Sequence, residues 1–163
     1  MQNALELAAA LGEELKQRRL FLAVAESCTG GGVMQAITEI AGSSEWFDCG
    51  FVTYSNSSKT ELLNIPAAEI AQHGAVSEEI AAAMVRGALA NSDADIALST
   101  TGIAGPTGAV PGKPIGTICF GWSVNGMTCT ERLVFSGDRS QVRAQTVVHA
   151  LDKLLKLVRQ NSA

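Results

Sequence analysis

The chain reads as an α/β protein built on a mixed sheet. Short apolar runs of strand length, Phe21–Glu26 and Ala94–Thr100, alternate with segments whose apolar residues recur at helical spacing. The first run is almost unbroken, which marks a strand buried on both faces, as in parallel sheets. Toward the C-terminus, Asn125-Gly126 separates two further strand-like runs, a strong hairpin signal that adds an antiparallel pair to the sheet. With 163 residues, 47% hydrophobic and 17% charged, the sequence has enough apolar side chains for a sizeable core and reads as one domain over 1–163.

In chain order, residues 3–18 form a helix, with Asn3 and Glu6 as a capping pair and Ala4, Leu7, Ala8, Leu11 and Leu15 as its stripe. The strand Phe21–Glu26 runs into Ser27-Cys28-Thr29 and three glycines, and a helix from Thr29 to Ile40 is stopped by Gly42. Phe47–Ser55 is a second strand. Ser58 and Glu61 then have capping-box spacing, which would put Lys59 at the first helical position. A short helix opened by Pro66 closes near Gly74, and Ser77 caps another with an apolar face of Ile80, Ala83, Met84, Gly87 and Ala88. After the strand Ala94–Thr100, residues 101–108 form a loop dense in turn formers. Strands Ile115–Val124 and Thr128–Phe135 flank the hairpin turn. A last helix opens at Ser136-Gly137-Asp138 and carries Ala144, Val147, Val148, Leu151, Leu154, Leu155 and Val158.

A net charge of −4 without any Lys/Arg cluster disfavours nucleic acid as a partner, while leaving room for one or two cations facing a small anionic substrate. Cys28, Cys49, Cys119 and Cys129 are scattered, without CxxC or histidine pairing, and read as reduced thiols in or near the core. No signal peptide and no apolar run of membrane-spanning length is visible, so the expected location is the cytoplasm and no membrane partner is expected.

The chemistry centres on Ser27. A strand-to-helix turn exposes a side chain at the sheet edge and leaves backbone N–H groups unpaired. A serine needs a base to act as a nucleophile, and both histidines, His73 and His149, sit in helical contexts far from the glycine turn. Lys59 meets the need: a helix N-terminus carries about half a positive charge, which disfavours an ammonium and lowers its pKa. Tyr54 could relay a proton or hold the lysine's hydrogen bond, and the amides near Gly30 and Gly31 could hold an oxyanion. Taken singly, Ser27 also reads as a helix cap, Lys59 as a solvated lysine and Tyr54 as a half-buried strand residue. In the loop at 101–113, Thr101, Gly102 and Gly105 suit phosphate or ribose binding, as does Thr29 beside the serine, and a structural long turn fits the loop equally. Arg143, early in the last helix, could reach a phosphate.

Four segments together, Ala25-Glu26-Ser27-Cys28-Thr29-Gly30-Gly31, Gly50-Phe51-Val52-Thr53-Tyr54-Ser55-Asn56, Gly74-Ala75-Val76-Ser77 and Gly102-Ile103-Ala104-Gly105-Pro106, resemble in order and spacing the CinA C-terminal domain family. The resemblance implies a three-layer α/β/α domain that forms dimers or larger assemblies. It implies hydrolysis of the carboxamide of nicotinamide mononucleotide to nicotinic acid mononucleotide and ammonia, in pyridine nucleotide salvage, with no metal and no cofactor. It makes Ser27 and Lys59 a catalytic pair and associates Arg143 with the substrate phosphate. Rival readings are a non-catalytic nucleotide-sensing domain of the same fold, an amidase for another small amide, and a role in competence or DNA damage that the acidic charge disfavours.

Overall fold

The computed structural model describes residues 2–161; residues 1, 162 and 163 of the expected domain lie outside the described residues. The elements are α1 (Ala4–Arg18), β1 (Leu22–Glu26), α2 (Gly32–Thr38), a 3-10 turn (Ser43–Glu45), β2 (Phe47–Val52), α3 (Asn56–Leu63), α4 (Ala67–His73), α5 (Glu78–Ala90), β3 (Ile96–Gly102), β4 (Thr117–Val124), β5 (Met127–Val134) and α6 (Arg139–Gln160). The strands form one mixed sheet in the order β2-β1-β3-β4-β5. β1 runs parallel to both neighbours, whereas β3 pairs with β4 and β4 with β5 antiparallel. The hairpin turns through Asn125 and Gly126 at φ 55° and 76°, the backbone that an Asn-Gly turn supplies. None of the described helices is both long and apolar enough to cross a membrane.

Alternation along β1 divides the interior in two. Leu22 and Val24 point to one face, where they meet Leu98, Phe120 and Trp122 and are covered by α1, α2 and α6. Ala23 and Ala25 point to the other, with Ala97, and are covered by α3, α4 and α5. The second face is lined by small residues, so α5 can approach very closely. Ser99 on β3 donates to the Ala81 carbonyl of α5 at 2.7 Å, and a Cβ on Gly121 would lie 2.6 Å from that same carbonyl oxygen.

Several boundaries differ from expectation. The helix α2 begins at Gly32 rather than Thr29, because Gly30 and Gly31 take φ values of 60° and 104° and form a turn. Its N-terminal amides find a partner in an unexpected place: Glu26, fully buried at the end of β1, accepts from the N–H groups of Val33 and Met34 at 2.9 and 3.0 Å. The cap of α3 is Ser55, which accepts from the Ser58 amide at 3.1 Å, rather than Ser58. Lys59 is therefore the fourth helical residue and not the first. Thr101 and Gly102 belong to β3 instead of a loop. On α6 the buried stripe is Val142, Thr146, Ala150, Leu151, Leu154, Leu155 and Val158, and Ala144 is exposed.

Candidate active site

The connections after β1 and β2 leave toward opposite faces of the sheet, α2 to one side and α3 to the other. Such a divergence opens a crevice beyond the carboxyl ends of the strands. Ser27 hangs directly in it. Its amide donates to the Thr100 carbonyl at 2.9 Å, extending the ladder with β3, and the neighbouring Glu26 carbonyl accepts from Thr53 at 2.9 Å, extending the ladder with β2. The nucleophile candidate is thereby fixed by backbone pairing on both sides.

Lys59 comes from the next strand over, one turn into α3. Its Nζ lies 3.1 Å from Ser27 Oγ, 2.6 Å from the Thr53 carbonyl oxygen and 3.5 Å from that of Tyr54. The side chain is 1% exposed. Burial disfavours the ammonium form and brings the lysine pKa down to about 8. The cause is desolvation inside the crevice, not the helix N-terminus the sequence suggested, since Lys59 sits a full turn past the cap. The adjacent Cys28 thiol is pushed the other way, up to about 12, also by burial, so it stays protonated and is no rival nucleophile.

Ser27 and Lys59 share a cavity of about 200 Å³ with Cys28, Tyr54, Ala75, Val76, Thr101, Gly102, Ala104 and Arg139. Thr101 is buried and holds one wall in place by donating to the Ala75 carbonyl at 2.9 Å. A Cβ on Gly102 would lie 2.3 Å from Ile118 Cδ1, so that glycine is also required for β3 to pack on β4. Tyr54 stands at the mouth, 61% exposed. Its phenol oxygen accepts from Arg139 Nη2 at 3.0 Å, while Arg139 Nη1 donates to the Gly105 carbonyl at 2.9 Å. Tyr54 thus meets the lysine through its backbone carbonyl, while its hydroxyl is bonded to Arg139.

Thr29, Gly30, Gly31, Gly105 and Arg143 do not line the cavity. Thr29 is buried, its hydroxyl 2.7 Å from that of Thr100. Gly30 spends its amide on the Ser27 carbonyl at 3.1 Å, which removes it as an oxyanion donor in this arrangement. The amides of Cys28, Thr29 and Gly31 have no hydrogen-bond partner among the described residues. Arg143 faces the back of the nucleophile turn, whereas Arg139, one helical turn earlier, reaches the mouth. Arg139 is the residue that sequence reasoning missed. Its signal was the Gly137-Asp138-Arg139 helix entry, where the Asp138 cap fixes the first helical residue against the crevice.

Comparison with known proteins agrees with the fold and its motifs. The model of the CinA C-terminal domain matches residues 4–158. The nicotinamide-nucleotide amidohydrolase PncC of Pseudomonas putida is 50% identical over 151 residues, 93% of this chain and 94% of the relative. The protein of the same name from Escherichia coli K12 is 46% identical over 159 residues, 97% and 96% of the two chains. Among solved structures, the competence damage-inducible protein A of Klebsiella pneumoniae superposes with a TM-score of 0.95 at 38% identity, covering 99% of this chain and 100% of that one. The chain belongs to the CinA C-terminal domain family.

Proposed function

We propose that this protein is an amidase that hydrolyses the carboxamide of nicotinamide mononucleotide, with Ser27 as nucleophile and neutral Lys59 as its base. The observation that carries this reading is the 3.1 Å approach of Lys59 Nζ to Ser27 Oγ inside a cavity at the sheet's switch point. The activity named for the Pseudomonas putida and Escherichia coli relatives supports it. The cavity is smaller than the ~300 Å³ at the lower end of pockets that enclose whole ligands. It suits a pyridine carboxamide, with the ribose phosphate left at the mouth beside Tyr54 and Arg139. Arg139 there has guanidinium N–H groups beyond the two already engaged, and is our choice for the phosphate in place of Arg143.

The lysine's surroundings define its role. In the neutral amine two N–H groups point at the carbonyls of Thr53 and Tyr54, which turns the lone pair toward the Ser27 hydroxyl. As Ser27 Oγ attacks the amide carbon, its proton passes to Lys59 Nζ and negative charge collects on the amide oxygen. The unpaired Cys28 amide, on the cavity wall, receives that oxyanion, a good donor of this kind contributing roughly 3 kcal/mol. Collapse breaks the C–N bond, and the Lys59 ammonium protonates the departing nitrogen to give ammonia. Lys59, neutral again, takes a proton from water as it attacks the Ser27 ester, and returns it to Ser27 Oγ when the acid leaves. Ammonia release from the mononucleotide by wild type, Ser27→Ala and Lys59→Ala tests the reading. Both variants should lose at least about 1,000-fold in kcat. Undiminished turnover in either removes that residue from the mechanism, and tight binding without turnover by the wild type would identify a sensing domain instead.

A further inference from the structure

Arg143 lies half-buried on α6 behind the Ser27–Gly31 turn, outside the cavity. Its guanidinium donates from Nε to the Cys28 carbonyl and from Nη2 to the Thr29 carbonyl, both at 3.1 Å. A rigid planar fork thus grips two successive carbonyls from one side. In a trans peptide the C=O and N–H point in opposite directions, so this grip turns the Thr29 and Gly30 amides the other way. The Gly30 amide closes the turn on the Ser27 carbonyl, whereas the Cys28 amide has no hydrogen-bond partner among the described residues. Gly30 contributes at two levels. Its φ of 60° is the left-handed backbone that lets successive amides form an anion-binding concavity, and a Cβ there would lie 3.5 Å from Arg143 Nη2. The N-terminal amides of α2 that could otherwise serve, those of Val33 and Met34, are taken by Glu26.

We propose that Arg143 is a positioning residue: by gripping the Cys28 and Thr29 carbonyls it fixes the Ser27–Gly31 turn so that the unpaired N–H of Cys28, the residue after Ser27 that lines the cavity, faces the oxyanion formed on attack by Ser27. The inference rests on the acyl-transfer reading of Ser27 and departs from the phosphate role that the family resemblance suggested for Arg143. The two roles separate with two substrates, nicotinamide mononucleotide and nicotinamide riboside, which lacks the phosphate. Arg143→Met and Arg143→Lys should lose roughly 100-fold in kcat on both, with KM changed by less than about threefold. The ratio of kcat/KM between the two substrates then stays at the wild-type value. A variant that loses activity on the mononucleotide alone returns Arg143 to phosphate binding and overturns the proposal.

A second measurement does not depend on the substrate. The rate at which a fluorophosphonate labels Ser27 should fall in Arg143→Met, because its phosphoryl oxygen occupies the oxyanion position, and added guanidinium should restore part of it. Restoration requires a folded protein, and the thermal midpoint shows independently whether the variant folds. Should Arg143→Met not fold, Arg143→Lys carries the same comparison. Labelling of an Arg143 variant at the wild-type rate sinks the positioning role, whichever amide is the substrate. Wild type that is labelled but leaves the mononucleotide intact refutes the proposed substrate and leaves the labelling comparison to decide. A wild type that neither labels nor turns over refutes both.

Discussion

At the scale of single residues, the proposed chemistry depends on one buried amine. Lys59 has its pKa brought down to about 8 by burial, so only about a tenth of it is neutral at pH 7. For a general base this predicts that kcat/KM rises about tenfold per pH unit below that value and levels off above it. A pH profile that is flat from 6 to 9 would remove Lys59 as the base. The same residue imposes a pH dependence on stability. Its folded pKa lies below the unfolded value, so between about 8 and 10.5 the unfolded chain binds more protons than the native one and stability rises with pH. The penalty for the buried ammonium is fully present below that window and absent above it. Relative to Lys59→Met, the wild type should therefore gain about 3 kcal/mol between pH 8 and 10.5, read from urea midpoints on both proteins. Parallel stability curves for the two would contradict it.

Individual elements owe their placement to different interactions on the two sides of the sheet. The helix α5 rides on alanine, serine and glycine residues of the sheet, so its axis is set by backbone contact more than by side-chain volume. Gly121 shows this: a Cβ would meet both Ala81 O at 2.6 Å and Ser99 Oγ at 2.7 Å. Gly121→Ala should destabilise the protein by roughly 1–3 kcal/mol and lower its thermal midpoint by roughly 2–10 °C. An unchanged midpoint would mean that α5 can lift off β4 without cost. On the opposite face, Trp122 packs its indole 5.3 Å from the Phe120 ring and donates from Nε1 to the Ala150 carbonyl of α6 at 3.0 Å. There volume and a directed hydrogen bond set the helix position. The short α2 relies instead on the Glu26 carboxylate, because its cap position is a glycine with no side chain to offer.

Across the whole molecule, most of the element order could be read from the chain because each signal was local. Capping pairs, the Asn-Gly turn and unbroken apolar strands act within a few residues of themselves. Ser27 and Lys59 were legible for the same reason, each beside a strand-to-helix turn. What escaped depended on how distant segments meet. Arg139 and Arg143 are one turn apart on one helix, and only the packing of α6 against the nucleophile turn and the mouth assigns one to each. The Tyr54 phenol followed Arg139, a partner 85 positions away. The carboxylate of Glu26 reads as a strand-end charge until α2 is seen to start above it. Gly30 and Gly31 could as well have opened a helix as formed a turn, and their backbone angles decided it.

One feature of the sheet bears on how such a site fails. The serine and the carbonyl that holds the lysine are continuations of paired strands, joined by the Thr53 to Glu26 and Ser27 to Thr100 backbone bonds. Heat cannot pull nucleophile and base apart without breaking the pairing of β2 with β1. Inactivation on warming should therefore be an all-or-none event: the temperature at which half the initial rate is lost, measured after brief incubation, should coincide with the calorimetric midpoint. An enzyme that falls silent well below that midpoint would place the weak point at the mouth, where Arg139 bridges Tyr54 and Gly105, and not at the dyad.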